Sequence, residues 1–212
     1  DLNTPIEETV AALETLVKAG KVRYTGFSNW SAWMAAKAVG IQNALGASPF
    51  RAAELYYSLV GRDFENELEP FCRDAGIGVL VWSPLAGGLL TGKYSRENPQ
   101  GDGGRLSSID FIPHDKDKSY TLIDELRVIA KDHNATPAQV SLAWLMTKPT
   151  VASVLIGANK IAQLEDNLAA ADLKLSSDAV KKLDEMSAPY IPYPNWFINR
   201  TQDPQAMNGL QR

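Results

Sequence analysis

Helical periods alternate with short apolar runs along this chain, and that alternation restricts its fold more than any other feature. Thr4-Pro5-Ile6-Glu7 reads as a helix N-cap, a proline at the first helical position and the glutamate of a capping box. Ile6, Val10, Leu13 and Val17 then recur at helical spacing until Gly20. Residues 22–27 follow as a short strand that ends at Ser28 and Asn29. A second helix is expected from about Ser31, with Met34, Ala38, Ile41 and Leu45 on one face and Gly46 after it; Gly40 weakens its middle. Residues 50–57 read as the next strand. Asp63 can cap a third helix with Phe64, Leu68, Phe71 and Ala75 inward and Gly76 as its stop; Pro70 predicts a kink or a late start. Residues 77–82 are almost continuously apolar, the pattern of a parallel strand covered on both faces.

After Trp82 the rhythm breaks. Residues 83–118 carry nine glycines and prolines, among them Pro84, Gly87, Gly88 and Gly92, and no sustained period. A stretch this long reads as a functional lid or a disordered segment. Helix resumes over residues 119–133. Thr136-Pro137-Ala138-Gln139 opens another with a second capping box. A fourth strand over 151–156, helices over 161–171 and 178–186, and an aromatic tail over 190–197 complete the order. Such alternation argues for a parallel sheet with crossover helices, either doubly wound or part of a (β/α)8 barrel. A single domain over 1–212 is the simplest organisation. Four strands cannot close an eight-stranded barrel, and an open half exposes two sheet edges. In the barrel reading the domain is incomplete on its N-terminal side, and either a missing half or self-association covers it.

Composition narrows the partners. With 45% hydrophobic and 22% charged residues, the chain is an ordinary globular sequence. A net charge of -4 gives no footing for nucleic acid or a polybasic membrane contact. No apolar run approaches a membrane span, no signal peptide precedes Asp1, and the single cysteine, Cys72, favours a reducing compartment, so a cytoplasmic protein is expected.

Parallel α/β folds bind ligands at the carboxyl ends of their strands. Here those positions are Ser28 and Asn29, Glu54 to Ser58, Trp82 to Gly88, and Gly157-Ala158-Asn159-Lys160. Gly87 and Gly88 would let backbone N–H groups approach a phosphate, or simply form a turn. Lys160, in the first turn of the following helix, opposes the helix dipole; a bound anion would relieve it, and a solvated lysine would tolerate it. Trp82 can offer its face to a planar ring or pack in the core. Tyr193, Trp196 and Phe197 can cover a pocket mouth or pack on the domain. His114 and His133 have no partner at metal spacing and read as surface residues, and Cys72 reads as packing. No catalytic triad, zinc pattern, G-x-G-x-x-G or Walker loop is found.

Four segments carry a resemblance. Gly20-Lys21-Val22-Arg23-Tyr24-Thr25-Gly26-Phe27-Ser28-Asn29 is similar to the G-K-V-R-x-x-G-x-S-N segment of aldo-keto reductases. Tyr57-Ser58-Leu59-Val60-Gly61-Arg62, Val81-Trp82-Ser83-Pro84-Leu85-Ala86-Gly87-Gly88-Leu89-Leu90-Thr91-Gly92-Lys93 and Ile156-Gly157-Ala158 with Gln163-Leu164-Glu165-Asp166-Asn167 match in the same order, and the tail is similar to that of bacterial members. The resemblance implies the C-terminal half of a (β/α)8 TIM barrel and an NADPH-dependent reduction of aldehydes or ketones. It places Ser28 and Asn29 on the nicotinamide carboxamide and Trp82 against the ring. Ser83, Pro84, Leu85, Gly87, Gly88 and Lys93 would run beside the pyrophosphate. Asn159, Lys160, Gln163, Asp166 and Asn167 would surround the adenosine and its 2′-phosphate, and Gly157 and Ala158 are counted with the cofactor-binding residues. Glu54 stands where the family usually has a carboxamide-bonding glutamine. Asn159 and Gln163 stand where many members carry arginine or lysine, which admits NADH beside NADPH.

The family's catalytic Asp, Tyr, Lys and His belong to the first half of the barrel, and no residue here takes those roles. By lineage the chain reads as the cofactor-binding half of a carbonyl reductase with a small-molecule substrate, inactive alone. A catalytically inactive binding or regulatory module, as in aldo-keto reductase-like channel subunits, is the alternative. An unrelated phosphate-binding barrel enzyme is a third.

Overall fold

The computed structural model describes residues 3–99, 101 and 112–201. Of the stretch 83–118, read above as a lid or disordered segment, residues 100 and 102–111 lie outside the described residues. Within them the chain runs α1 (Ile6–Lys18), β1 (Thr25–Ser28), α2 (Ala32–Leu45), β2 (Phe50–Tyr56), α3 (Leu68–Asp74), β3 (Gly78–Trp82), α4 (Lys116–Asp132), α5 (Pro137–Met146), β4 (Val151–Val154), α6 (Ile161–Ala169), α7 (Ser177–Met186) and α8 (Asn195–Thr201). Short 3-10 turns occupy Asp63–Asn66 and Ala86–Thr91.

The four strands form one parallel sheet in the order β1-β2-β3-β4. Each strand pairs with the next in sequence, with helices in every connection. This is the arrangement of successive βα units in part of a (β/α)8 barrel, and it lacks the order reversal of a doubly wound sheet.

One face of the sheet is packed and the other is not. Phe27, Ala53, Leu55, Val79 and Val81 are buried beneath the helices. Opposite them, Ser28 and Glu54 are exposed, while Tyr56, Leu80 and Trp82 are half-buried. The expectation that 77–82 is covered on both faces is thus corrected: β3 alternates, because its helical layer lies on one side only. Register shifts after Thr25 and after Val79 skip Arg51 and Ala152, and they keep Ser28, Glu54, Leu80 and Ser153 in one row across the open face.

Local signals were mostly honoured, with shifts that packing explains. Thr136 and Gln139 form the expected capping box at α5. At α1 the structure puts Pro5 at the cap position, one residue later than the Thr4 cap expected from the sequence. The third helix begins late, at Leu68, which puts Pro70 in the first turn where its missing N–H costs no bond. In α2 the inward face is Ala35, Ala38 and Gln42, rotated from the expected one, and Leu45 is 67% exposed. The cause is polar: the Gln42 amide donates to the Ser48 carbonyl at 3.0 Å and accepts the Phe50 N–H at 3.3 Å, which fixes the turn into β2. The tail contains α8, anchored where Asn195 donates to the Asn66 carbonyl at 2.6 Å.

The core is centred on Trp144 of α5, which packs 5.3 Å from the Tyr57 ring, itself 4.8 Å from Phe64. Arg62 lies over Trp144 and binds Glu65 with two nitrogens, at 2.7 and 2.9 Å, and the Asp184 carbonyl at 2.9 Å. This ties the segment after β2 to α5 and α7. Cys72 is fully buried as packing, and burial pushes its thiol up to about 11.

Burial also raises the Tyr56 phenol to about 12 from 10.0. Both groups hold their protons more tightly folded than unfolded. The stability they contribute is complete below their ordinary values of 9.0 and 10.0, and it is lost as pH climbs through about 11 and about 12. Urea midpoints should therefore fall steadily from about pH 9 upward; a midpoint that stays level through that window would contradict this packing.

Candidate functional site

Immediately past β3 the backbone turns left-handed repeatedly. Ser83, Ala86, Gly87 and Gly88 have φ of 51°, 48°, 67° and 96°. For Ser83 and Ala86 such values are costly and cluster at sites where backbone shape matters. Gly88 leaves room that a Cβ would take, 3.5 Å from the Cε and Nζ atoms of Lys93. The ammonium of Lys93 also lies 5.2 Å from the Tyr94 ring centroid. Part of this segment is ordinary turn: the N–H groups of Ala86 and Gly88 donate to Ser83 and Leu85 carbonyls, each at 2.9 Å. Those two N–H groups are spent within the protein.

A cleft of about 700 Å³ opens beside this turn, inside the range of about 300–1,000 Å³ usual for ligand clefts. It gathers residues that sequence spacing keeps far apart. Trp82, Ser83, Pro84, Leu85, Gly87, Gly88 and Lys93 line it together with Gly157, Asn159, Gln163, Asp166 and Asn167. Residues not foreseen complete it: Thr91, Ile112, the Thr136-Pro137-Ala138 start of α5, Leu155 and Ile156. The capping box at Thr136 was visible in sequence, but only the fold brings it into the lining of the cleft. Ser28, Asn29, Glu54, Ala158 and Lys160 do not line it.

Lys160 calls for a correction. It is the N-cap of α6, with φ -132° and ψ 144°, and not a first-turn residue; its side chain is exposed. Exposure to solvent lets water screen its charge from the positive end of the α6 dipole, so no bound anion is required there. Asp166 differs too. Its carboxylate accepts the Thr136 hydroxyl at 3.1 Å and the Gln139 amide at 2.9 Å, so it clasps α6 to the start of α5. Gln163 accepts the Asn159 N–H at 3.2 Å, shaping the bend ahead of α6.

The carboxamide positions are knit into the sheet end. The Ser28 hydroxyl donates to the Glu54 carbonyl at 2.9 Å, and the Trp82 indole N–H donates to Asn29 Oδ1 at 3.0 Å. The histidines are half-buried, not surface residues: His114 Nδ1 is 3.0 Å from the Ile112 carbonyl, and His133 Nε2 accepts the Ser176 N–H at 3.3 Å. Tyr193, Trp196 and Phe197 are 40–73% exposed and none lines the cleft. Among the described residues, no group of three or more His, Cys, Asp or Glu side chains is placed to hold a metal ion. Among them too, no helix is long and apolar enough to cross a membrane.

The donor set suits a dinucleotide. The lining combines the Trp82 indole, a glycine turn with Lys93, and the side-chain amides of Asn159, Gln163 and Asn167. The model of the aldo/keto reductase family matches residues 1–188. The chain belongs to the aldo/keto reductase family. Relatives agree. A Glycine max protein named "Probable aldo-keto reductase 1" is 35% identical, covering 87% of this chain and 52% of its own length. "Aldo-keto reductase str7" of Strobilurus tenacellus is 38% identical, covering 88% and 56%. "Versiconal hemiacetal acetate reductase" of Aspergillus parasiticus is 30% identical, covering 91% and 55%. The chain spans about half the length of the curated relatives it matches. Within the aldo/keto reductase frame, the segments ending at Asn29, Lys93 and Asn167 are the ones that the fold carries to one end of the sheet.

Proposed function

We propose that this chain supplies the NADPH-binding part of an oxidoreductase that reduces aldehydes or ketones. The observation that carries the reading is the cleft itself, which joins the Trp82 face, the left-handed glycine turn with Lys93, and the polar residues 159–167 in one continuous groove. Bound reduced nicotinamide would supply hydride to a carbonyl carbon. The residues of this chain bind and orient: Trp82 presents a flat apolar surface for a planar ring, and Lys93 sets a cation beside the turn for the pyrophosphate. Asn159, Gln163 and Asn167 offer neutral amides to the adenosine end. Neutral donors discriminate weakly between a 2′-phosphate and a 2′-hydroxyl, so NADH is accepted beside NADPH.

Titration of the 212-residue chain with NADPH should give saturable quenching of tryptophan emission, and NADH should bind within about tenfold of it, roughly one charge-assisted contact apart. Absence of saturable binding of either nucleotide would overturn the reading. No residue of the chain is assigned the proton donor's role, so the pure chain alone should not turn over NADPH with a nitrobenzaldehyde. Turnover would mean that a donor lies among these residues.

A further inference from the structure

The segment that carries Lys93 is gripped from outside the cleft. One terminal nitrogen of Arg127, on α4, donates to the Gly92 carbonyl at 2.8 Å and to the Tyr94 carbonyl at 3.0 Å. These are the carbonyls on either side of Lys93. The other terminal nitrogen of Arg127 donates to an Asp124 carboxylate oxygen at 2.7 Å, one helical turn back, which fixes the orientation of the guanidinium. Arg127 is half-buried and does not line the cleft. The same segment is seated at two further points. Gly92, at φ 82°, packs on Pro137, where a Cβ would lie 2.9 Å from the ring Cγ. The Tyr94 side chain is 1% exposed, and the Lys93 ammonium stands 5.2 Å from its ring centroid.

We propose that Arg127 is a positioning residue for nucleotide binding: by holding the carbonyls on both sides of Lys93, it sets the Lys93 ammonium beside the Gly88 turn before a ligand arrives. The proposal rests on the reading of Lys93 as the cation that serves the pyrophosphate. Lysine carries its ammonium on a flexible four-carbon stem, so the space that the ammonium occupies is decided first by the backbone beneath it. A guanidinium suits this grip, because its donors are fixed in one plane and its charge strengthens each bond. The effect on binding passes through Lys93 and needs no contact between Arg127 and the dinucleotide. Without the grip, the backbone at 92–94 gains freedom that binding must then remove, and affinity falls by that loss.

Two readouts test this on the 212-residue chain. The first is the side-chain Cε signal of Lys93 in a chain labelled with 13C-lysine, identified by its disappearance in Lys93→Met. The Tyr94 ring lies close enough to shift that signal, so Arg127→Met should move it. The second is a cycle of affinities over Arg127→Met, Lys93→Met and the double variant. Arg127→Met should weaken NADPH and NADH alike, each roughly tenfold, the size of one lost hydrogen bond. With methionine already at position 93, the same change should add almost nothing, as coupled residues require. Arg127→Lys keeps the charge but offers its donors from a single point, and it should recover part of the loss. A Lys93 signal that stays in place in Arg127→Met would overturn the proposal. So would an equal loss of affinity with lysine and with methionine at position 93, which would make Arg127 a ligand cation in its own right or a purely structural residue. If Arg127→Met does not fold, Arg127→Lys decides by the same two readouts, with a smaller shift and a smaller loss expected. If the unaltered chain binds neither nucleotide, the cofactor reading falls, while the Lys93 signal still decides whether Arg127 sets that side chain.

Discussion

Replacing Trp144 by alanine should lower the stability of the chain by about 4 kcal/mol, in the range for truncating a fully buried aromatic. Trp144 is wholly inaccessible to solvent. Its ring packs on Tyr57 and lies under two cations, Arg62 at 5.2 Å and Lys148 at 4.4 Å. Its N–H donates to Asp184 at 2.9 Å, and Lys148 binds the same carboxylate oxygen at 2.6 Å. The alanine variant thus loses packing, two cation–ring contacts and the bond that holds α7 to α5. Against a typical total of about 5–15 kcal/mol, such a loss brings the chain near its unfolding threshold. Trp144→Phe separates the contributions. It keeps most of the ring volume, loses one hydrogen bond to an acceptor that retains Lys148, and should cost about 1–2 kcal/mol. Urea midpoints of the two variants measure both values. An alanine variant within about 1 kcal/mol of the parent would show that the core is not centred on α5.

Reversing the charge at Lys93 should weaken NADPH binding about a hundredfold at low ionic strength. A charge-assisted bond to a phosphate contributes about 1.5–3 kcal/mol, and glutamate adds repulsion where that attraction was. Lys93 is exposed, so the penalty should shrink as salt is raised. Its place beside the Gly88 turn distinguishes two phosphates. If Lys93 serves the pyrophosphate, Lys93→Glu weakens NADPH and NADH alike. A loss confined to NADPH would move Lys93 to the 2′-phosphate, and no loss for either nucleotide would remove it from the site. Lys93→Met, which keeps the stem against Gly88 and drops only the charge, should fall between parent and Lys93→Glu.

Much of the architecture was readable because its signals are local. Thr136 and Gln139 are three residues apart, and a capping box needs nothing beyond the first turn of α5. Gly46 adopts the left-handed C-cap expected of it. The misplacements occur where distant partners decide. Gln42 turns inward in α2 because the Ser48 carbonyl and Phe50 N–H stand there to satisfy its amide, which no helical period reveals. Residues 77–82 appeared two-sided because apolar side chains on both faces look the same in sequence whether or not a layer covers them; the alternation of β3 became visible only with the helices in place. The helix α8 was hidden in the tail because it is one short segment of seven residues with no long apolar period, and its anchor at Asn66 is over a hundred residues away.

For the candidate site the division is sharper. By itself the sequence determined which chemical groups are offered: an indole at the end of a strand, glycines that admit left-handed backbone, a lysine after them, and amides ahead of a helix. Those are properties of residue type and near neighbours. Tertiary structure alone decided which of them meet. It brought residues from 82–93 and 157–167 into the lining of one cleft, with the start of α5 beside them. It turned Lys160 out at a helix cap, spent the Asp166 carboxylate on Thr136 and Gln139, and joined Asn29 to the Trp82 indole. The physical reason is that a hydrogen bond or a packed ring forms wherever a buried or half-buried partner is within a few ångströms. That distance is set by strand register and helix packing over tens of residues, not by the spacing of the residues along the chain.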